Sequence, residues 1–378
     1  MAGGSNKSLL SILEIINKYH NVIVITPDNN GIYHTLKKLG ITVESIYYIF
    51  NIRPQHSTFK DCFLFLPRLI KRKIINRIAE YHLANIVAKY KADIIHTNTS
   101  VNEIGYNVAK KTGIPHVMHV REYGDKDHGL HIYGIRKKLS DKDSWNIFIT
   151  KDIAKYYNCI DSPNSIVIYN PIIKSLSLAT KWPRNNFFLY AGRIDSGKGI
   201  SDLIISYIEY YNIQGKNSTP LIMAGECKSP SQLKLKSAML RMLKKVGADD
   251  KVKWLGEVDN IYDYMAEARA VIVPSIFEGF GRVMPESQAH GALVIGRDTG
   301  GTHEQFENGI KYTGQEIGIR FKTRDDLTKA LLKVDKMNET EYQRFVINSR
   351  KVVRELYTQK ASSTQILDFY NKIFADKV

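Results

Sequence analysis

Three short stretches in the second half of this chain hold the residue types that anion and hydroxyl recognition needs. The first is Tyr190-Ala191-Gly192-Arg193-Ile194-Asp195-Ser196-Gly197-Lys198-Gly199. It follows a strand-like run and opens a helical one, so its glycines let a phosphate approach the backbone at a helix N-terminus. Arg193 can fork onto phosphate oxygens, and Lys198 supplies a point charge. The spacing is neither the dinucleotide fingerprint nor a P-loop, and a purely structural β–α turn is the competing reading. The second stretch is Pro274-Ser275-Ile276-Phe277-Glu278-Gly279-Phe280-Gly281-Arg282-Val283-Met284-Pro285-Glu286. On one continuous helix its two glutamates would stand about 12 Å apart. The glycines instead put Glu278 in a loop, and Pro285 puts Glu286 in the first turn of a helix. That separation argues against the paired acid and base of a glycosidase. It favours separate hydroxyl-binding roles, since a carboxylate accepts hydrogen bonds from two neighbouring sugar hydroxyls. For Glu286 the alternative is a simple favourable place against the helix dipole. The third stretch, Asp298-Thr299-Gly300-Gly301-Thr302-His303-Glu304-Gln305, reads as mainly structural. Thr302 and Gln305 have capping-box spacing, and His303 reads as a surface or wall residue.

The elements that must carry these stretches are parallel sheets. Short apolar runs at 22–26, 42–49, 93–96, 116–119, 146–150 and 165–169 read as strands, as do runs at 187–191, 220–224, 251–254, 270–274 and 292–296. Several are almost wholly apolar, as strands buried on both faces must be. Helical periodicity between them, at 31–39, 71–90 and 102–112 in the first half, completes an α/β alternation. Residues 7–19 and 359–376 also read as helices. With 378 residues the chain exceeds one ordinary domain, so two doubly wound domains are expected. They divide as 1–172 and 173–359, with a final helix at about 360–378 that could pack back on the first. The start is unusual: Met1-Ala2-Gly3-Gly4-Ser5 leads directly into a helix, where a doubly wound domain has a strand first.

Composition narrows the class. Apolar residues are 43% and charged residues 24%, which excludes wholesale disorder and coiled coil. No apolar run approaches the roughly 20 residues of a membrane span. Lys7 and Glu14 interrupt the start, so no secretory signal is expected. Cys62, Cys159 and Cys227 lack metal-ligand spacing and read as free thiols in a reducing, cytoplasmic compartment. A net charge of +16 attracts something anionic.

The three motifs, in their order and spacing, resemble glycosyltransferase family 4. These are retaining, sugar-nucleotide-dependent transferases of GT-B fold, with two Rossmann-like domains facing a central cleft. The likeness covers the C-terminal half well. The first half matches more loosely, through Asp93-Ile94-Ile95-His96, Pro115-His116-Val117-Met118-His119 and Ile168-Tyr169-Asn170-Pro171. The resemblance implies that Arg193 and Lys198 hold the donor diphosphate, with Gly192 beside it, and that Glu286 binds the ribose. It implies that Glu278 contacts the donor sugar beside the Gly279, Phe280 and Gly281 backbone. His119 matches the family's cleft histidine, with Arg121 or Glu122 sharing its role, and the alternative for His119 is a hydrogen-bonded wall residue. Gly3 and Gly4 match the family's first glycine loop. The N-terminal domain departs from the family by lacking the strand before that loop.

No metal and no bound cofactor is expected from the resemblance, because cationic side chains replace a metal on the leaving diphosphate. Partners follow from the same likeness: a nucleotide-sugar donor and a glycan or lipid-linked acceptor of lipopolysaccharide, capsule or exopolysaccharide assembly. Residues 68–91 add seven basic side chains and one acid along an apolar stripe, with Phe63-Leu64-Phe65-Leu66 just before. Such a helix can lie on an anionic membrane, so a peripheral place on the inner face of the cytoplasmic membrane is expected, unless the stripe packs on its own sheet. Competing readings are a nucleotide-sugar epimerase of the same fold and a non-catalytic basic protein that binds membrane or nucleic acid. No nucleic-acid module is recognisable.

Overall fold

The central strands of the second half are apolar and largely buried, as strands covered on both faces must be. In Phe188–Ala191 (β9) the one side chain with a polar group, Tyr190, is buried; Ala270–Val273 (β12) is buried throughout, and both strands lie inside the sheet. A computed structural model describes residues 4–55, 65–176 and 186–376. Gly3, Cys62, Phe63 and Leu64 therefore lie outside the described residues. The chain divides into two compact units: Met1–Pro171 with Gln359–Val378, and Ile172–Thr358.

The second unit is one six-stranded sheet. Its strands are β9, Leu221–Ala224 (β10), Val252–Gly256 (β11), β12, Val294–Arg297 (β13) and Ile319–Phe321 (β14). Their order is β11-β10-β9-β12-β13-β14, and every pairing is parallel. Written from the first strand, this is 3-2-1-4-5-6, the doubly wound order whose ligands bind where it reverses, between the first and fourth strands. Sequence sets the helix starts. Ser229 accepts from the Gln232 backbone while the Gln232 side chain returns to the Ser229 backbone, with Pro230 in the first turn. Thr323 and Asp326 repeat the arrangement. Phe188, Tyr207, Leu221, Ile272, Leu331 and their neighbours form the core of one face.

The first unit has a broken sheet. Ile23–Thr26 (β1) pairs in parallel with Thr42–Ser45 (β2). Ile95–Thr97 (β4), His116–Val120 (β5), Ser144–Phe148 (β7) and Ser165–Val167 (β8) form a separate four-stranded parallel sheet. No described strand joins the two. Packing does so instead. The helix Gly4–Ile16 sends Leu13 against Leu36 and Ile41 beside β1 and β2, and Ile12 and Ile16 against Val117 and Ile147 of the larger sheet. On another face Ile25 and Ile46 share a cluster with Ile95 and Val108. The helix Gln359–Ala375 belongs to this unit and adds Ile366, Phe369 and Tyr370 to its core.

Three strands escape the sequence pattern. Ile52–Pro54 (β3) pairs antiparallel with Leu130–Ile132 (β6), and β14 closes the second sheet. Each is three residues long, too short to show a period. The helix expected at 71–90 begins earlier, at Phe65, and runs to Tyr90. Among the described residues no helix is long and apolar enough to cross a membrane.

Candidate active site

In the second unit the loops after β9 and β12 meet at the reversal of strand order. A short 3-10 turn, Ser196–Lys198, follows β9 and feeds the helix Ile200–Gln214 through Gly199. Gly199 has φ +66°, and a Cβ there would stand 1.9 Å from the Pro274 carbonyl oxygen. Only glycine lets the two backbones approach so closely. The Ile276 N–H donates to the Gly197 carbonyl at 3.1 Å and stitches the loops together.

This approach brings Lys198 and Glu278 into contact. Lys198 Nζ donates to Glu278 Oε1 at 2.6 Å, and Ser275 Oγ donates to the same oxygen at 2.7 Å. Both charged side chains keep some exposure, 23% and 19%, so an incoming ligand can reach them. Arg193 is different. Its side chain is 70% exposed, with Asp195 at 3.6 Å. Its backbone is fixed, because the Tyr190 hydroxyl donates to the Arg193 carbonyl at 2.6 Å. Burial raises the Tyr190 phenol well above its ordinary pKa, so it stays a donor.

The Glu278–Gly281 loop is held from a third side. Gly301 N–H donates to the Glu278 carbonyl at 2.8 Å. A Cβ on Gly301 would stand 2.6 Å from the Phe280 carbonyl, which explains the glycine. Gln305 Nε2 donates to the Phe280 carbonyl and to that of Gly281. The capping-box expectation for Thr302 and Gln305 fails here. The helix spans Gly300–Thr313 with Thr299 at its cap, so Thr302 lies inside it and Gln305 is spent on the loop. His303 is exposed and pairs with Asp298, a surface role. Phe280 is buried and packs edge-on against Tyr357.

Glu286 lies in the first turn of the helix Val283–Ala289 and is buried. Arg282, one helical turn earlier, meets its Oε1 from Nε at 3.0 Å and from Nη2 at 2.9 Å. Sequence reading passed over Arg282, although a basic residue four positions before an acid on a helix is a visible pairing signal. Gly192 follows β9, and its N–H donates to the Ala224 carbonyl at 2.9 Å.

In the first unit His119 lies near the C-terminal end of β5, 2% exposed. Arg121 is the hub around it. Its Nη2 donates to His119 Nδ1 at 3.3 Å and to Asn98 Oδ1 at 2.7 Å. Its Nη1 donates to Asn170 Oδ1 at 2.6 Å. Since Nδ1 accepts, the imidazole proton sits on Nε2, which is buried with no hydrogen-bond partner among the described residues. Burial, then Arg121, then His96, hold His119 well below its ordinary pKa. A neutral ring with a waiting N–H is a hydrogen-bond donor rather than a base.

Glu122 is already committed. Its Oε1 accepts from Thr99 Oγ1, from the Ser100 N–H and from Ser100 Oγ, at 2.6 to 2.8 Å. It holds the loop after β4. Asn98, Thr99 and Ser100 were missed in the sequence, where they read only as a polar run after a strand. Gly4 starts the helix Gly4–Ile16 and is exposed.

Two Asp-x-Asp triplets, Asp125-Lys126-Asp127 and Asp141-Lys142-Asp143, correct the reading that the sequence holds none, and they bear on metal binding. Asp127 accepts from the Tyr123 and Gly124 N–H groups, and Asp125 accepts from the Tyr156 hydroxyl. Asp141 and Asp143 both accept from Lys110. Each triplet is engaged in local turns and ion pairs. Among the described residues no cluster of three or more His, Cys, Asp or Glu is placed to hold a metal ion.

Comparison with known proteins follows the same lines. Residues 179–352 match the family described as glycosyl transferases group 1. A Campylobacter jejuni enzyme is 32% identical over 151 residues, 40% of this chain and 36% of its own length. It is an N-acetylgalactosamine-N,N'-diacetylbacillosaminyl-diphospho-undecaprenol 4-alpha-N-acetylgalactosaminyltransferase. The O-antigen chain mannosyltransferase of Salmonella typhimurium is 31% identical over 172 residues, 45% of each chain. The chain thus spans less than half the length of these curated relatives. The crystal structure of Anabaena HepE in complex with UDP superposes with a TM-score of 0.75 over 98% of this chain and 97% of that one, at 17% identity. Residues 179–352 are therefore similar to the glycosyl transferases group 1 family, in a chain of GT-B fold.

Proposed function

We propose that this protein is a retaining, metal-independent glycosyltransferase of family 4. It moves a sugar from a UDP- or GDP-linked donor to a glycan or lipid-linked acceptor in bacterial lipopolysaccharide, capsule or exopolysaccharide assembly. The observation that carries this reading is the meeting of Lys198 and Glu278 at the reversal point of the second sheet, 2.6 Å apart and both reachable. The activities named for the relatives support the acceptor side: one acts on an undecaprenol diphosphate-linked sugar and one on O-antigen chain. HepE, crystallised with UDP, supports a nucleotide donor.

In this reading the donor diphosphate takes Lys198 from Glu278, and the exposed Arg193 folds onto it. Two cations placed before the reaction lower the cost of the charge that develops on the leaving diphosphate. Glu278, freed of Lys198, accepts from donor sugar hydroxyls, with the Gly279–Gly281 backbone beside it. Glu286 takes the ribose hydroxyls, and Arg282 fixes its carboxylate. His119 offers its Nε2 proton to a sugar oxygen, while Arg121 positions the ring. Gly192 lines the diphosphate.

The test is thermal stabilisation by UDP and GDP in parallel, followed by turnover of the matching nucleotide-sugar. A nucleotide at about 100 times its dissociation constant adds roughly 2.7 kcal/mol of stability. One nucleotide should shift the wild type, and Lys198→Ala should lose most of that shift. Glu278→Ala should keep the nucleotide shift and lose turnover by about 10²-fold or more. A folded wild type that neither nucleotide shifts, or a Lys198→Ala variant that binds as the wild type does, overturns the proposal.

A further inference from the structure

The helix Phe65–Tyr90 is apolar on two faces. One faces inward and carries Ala79, Leu83 and Val87, all buried. The other carries Leu66, Ile70, Ile74, Ile78 and Tyr81, which are 51–67% exposed. These five are spaced four, four, four and three residues apart, so at about 100° per residue they form one continuous stripe. The stripe runs about 22 Å along the helix and lies roughly 160° around it from the buried face. Sequence reading merged the two faces into a single stripe, because apolar residues occur all round.

The rotation of this helix is fixed. Asn76 is buried and bonds both backbone groups of Ile49: it accepts from the Ile49 N–H and donates to the Ile49 carbonyl, each at 2.9 Å. Glu80, also buried, accepts from Asn107 Nδ2 at 2.7 Å and pairs with Lys111. Turning the stripe inward would break both anchors and leave buried polar groups unpaired, so its exposure is held by the fold.

Charge on this helix follows the stripe. Lys73 and Lys71 lie on its two flanks at about 100° per residue, and both are exposed. Arg77 lies within it, with its side chain 75% exposed and Glu80 at 3.5 Å. Arg72 points the other way and covers the Tyr133 ring at 4.6 Å. A dry protein interface on the stripe would have to bury Arg77 between Ile74 and Ile78. A lipid interface has no such cost: long basic side chains lay their stems along the acyl boundary and reach phosphates with their heads. Tyr81, with an apolar ring and a polar tip, suits the same depth. The whole chain carries a net charge of +16, which favours an anionic surface.

We propose that Leu66, Ile70, Ile74, Ile78 and Tyr81, flanked by Lys71, Lys73 and Arg77, dock this protein on the surface of an anionic phospholipid bilayer, with the helix lying in the plane of the headgroups. This docking is independent of the donor chemistry proposed above and is tested without it.

The experiment is co-sedimentation of the full chain with sucrose-loaded vesicles, of phosphatidylcholine alone or with about a quarter phosphatidylglycerol. The wild type should pellet with the anionic vesicles and stay largely in solution with the neutral ones. Ile70→Ser with Ile74→Ser removes apolar contact and leaves charge unchanged. Lys71→Gln with Lys73→Gln removes charge and leaves the stripe. Each pair should lower partitioning about tenfold or more, since each basic residue near such a surface is worth ~1 kcal/mol, and each buried methylene ~0.8 kcal/mol. Circular dichroism and the thermal midpoint without lipid should match the wild type, because all four side chains are exposed. Wild type that remains in solution with anionic vesicles overturns the proposal. So does a serine pair that pellets as the wild type does, which would move binding to another basic surface. A wild type that dimerises without binding vesicles, and becomes monomeric in the serine pair, assigns the stripe to a second copy of the chain and equally overturns it.

Discussion

In the second unit the first strand, β9, is hydrogen-bonded to β10 on one side and β12 on the other. In the first unit β1 and β4 belong to separate sheets, and no described strand links them. The candidate site residues are fixed differently as a result. Lys198 and Glu278 are placed by backbone against backbone, through Gly199, Gly301 and the Ile276–Gly197 bond. His119 and Glu122 are placed by side chains, through Arg121, Asn98, Asn170, Thr99 and Ser100. A site stitched through backbone fails when an atom is added. A site held by side chains fails when one is removed or protonated.

Gly199→Ala should give the largest effect. Its Cβ would meet the Pro274 carbonyl at 1.9 Å, in a backbone conformation that L side chains rarely adopt. Strain and overpacking together should cost about 4 kcal/mol, read as a lower thermal midpoint for the second unit. Gly113→Ala is the control. Gly113 has φ +71° but nothing within 4 Å of a Cβ, so it should cost only about 1–2 kcal/mol. Equal losses would mean that φ alone matters, and that the close approach of the two loops does not.

Acid should act on the first unit. His96 and His116 are each held down to about 3 by burial, with Arg121 adding to the effect on His96, and His119 is also lowered. Their folded pKa values lie below the unfolded value near 6.5, so the unfolded chain binds more protons between those limits. Stability from these rings is therefore complete above pH 6.5 and lost progressively as pH falls toward 3. Lowering pH from 6.5 to 5.5 should cost about 1 kcal/mol per ring, roughly 3 kcal/mol in all. Hydrogen exchange resolved by segment should show β4, β5 and β7 losing protection before β9 and β12. Simultaneous loss in both units would contradict this.

These two effects also mark what could be read from the sequence. Five of the six strands of the second unit, and the loops after them, were legible because each motif is local: a strand, a glycine turn and a helix start within about ten residues. Lys198 and Glu278 stand 80 positions apart, yet each is announced by its own glycines. Arg121 was named only as a possible partner of His119, since its contacts with Asn98 and Asn170 depend on three loops meeting in space. Gln305 was misread for the same reason: Thr302 and Gln305 have cap spacing, but the helix had already begun at Gly300. The Phe65–Tyr90 helix was misread because periodicity reports apolar positions and not which face a neighbouring Asn76 anchor turns inward.

Arg121→Met should cost about 2 kcal/mol, less than Gly199→Ala. It keeps much of the side-chain volume but leaves Asn98, Asn170 and His119 Nδ1 short of partners in a buried site. Donor turnover should fall with it, while nucleotide stabilisation of the second unit persists. Loss of nucleotide stabilisation in this variant would break the separation drawn between the two units.

Tyr370→Phe is the finest test of how the first unit is held. The Tyr370 hydroxyl bonds His96 Nδ1, and its ring packs at right angles to His20 and His96, beside Ile12, Ile16 and Val117. Phenylalanine keeps the packing and deletes one hydrogen bond, so the cost should be about 1 kcal/mol. Tyr370→Ala removes the ring as well and should cost about 3–5 kcal/mol. If packing joins the two sheets, the alanine variant should lose protection in β1 and β2 as well as in β4, whereas the phenylalanine variant should lose it in β4 alone. Equal cost for the two would mean that the hydroxyl, rather than the ring, carries the connection, and that the first unit is held by polar contacts throughout.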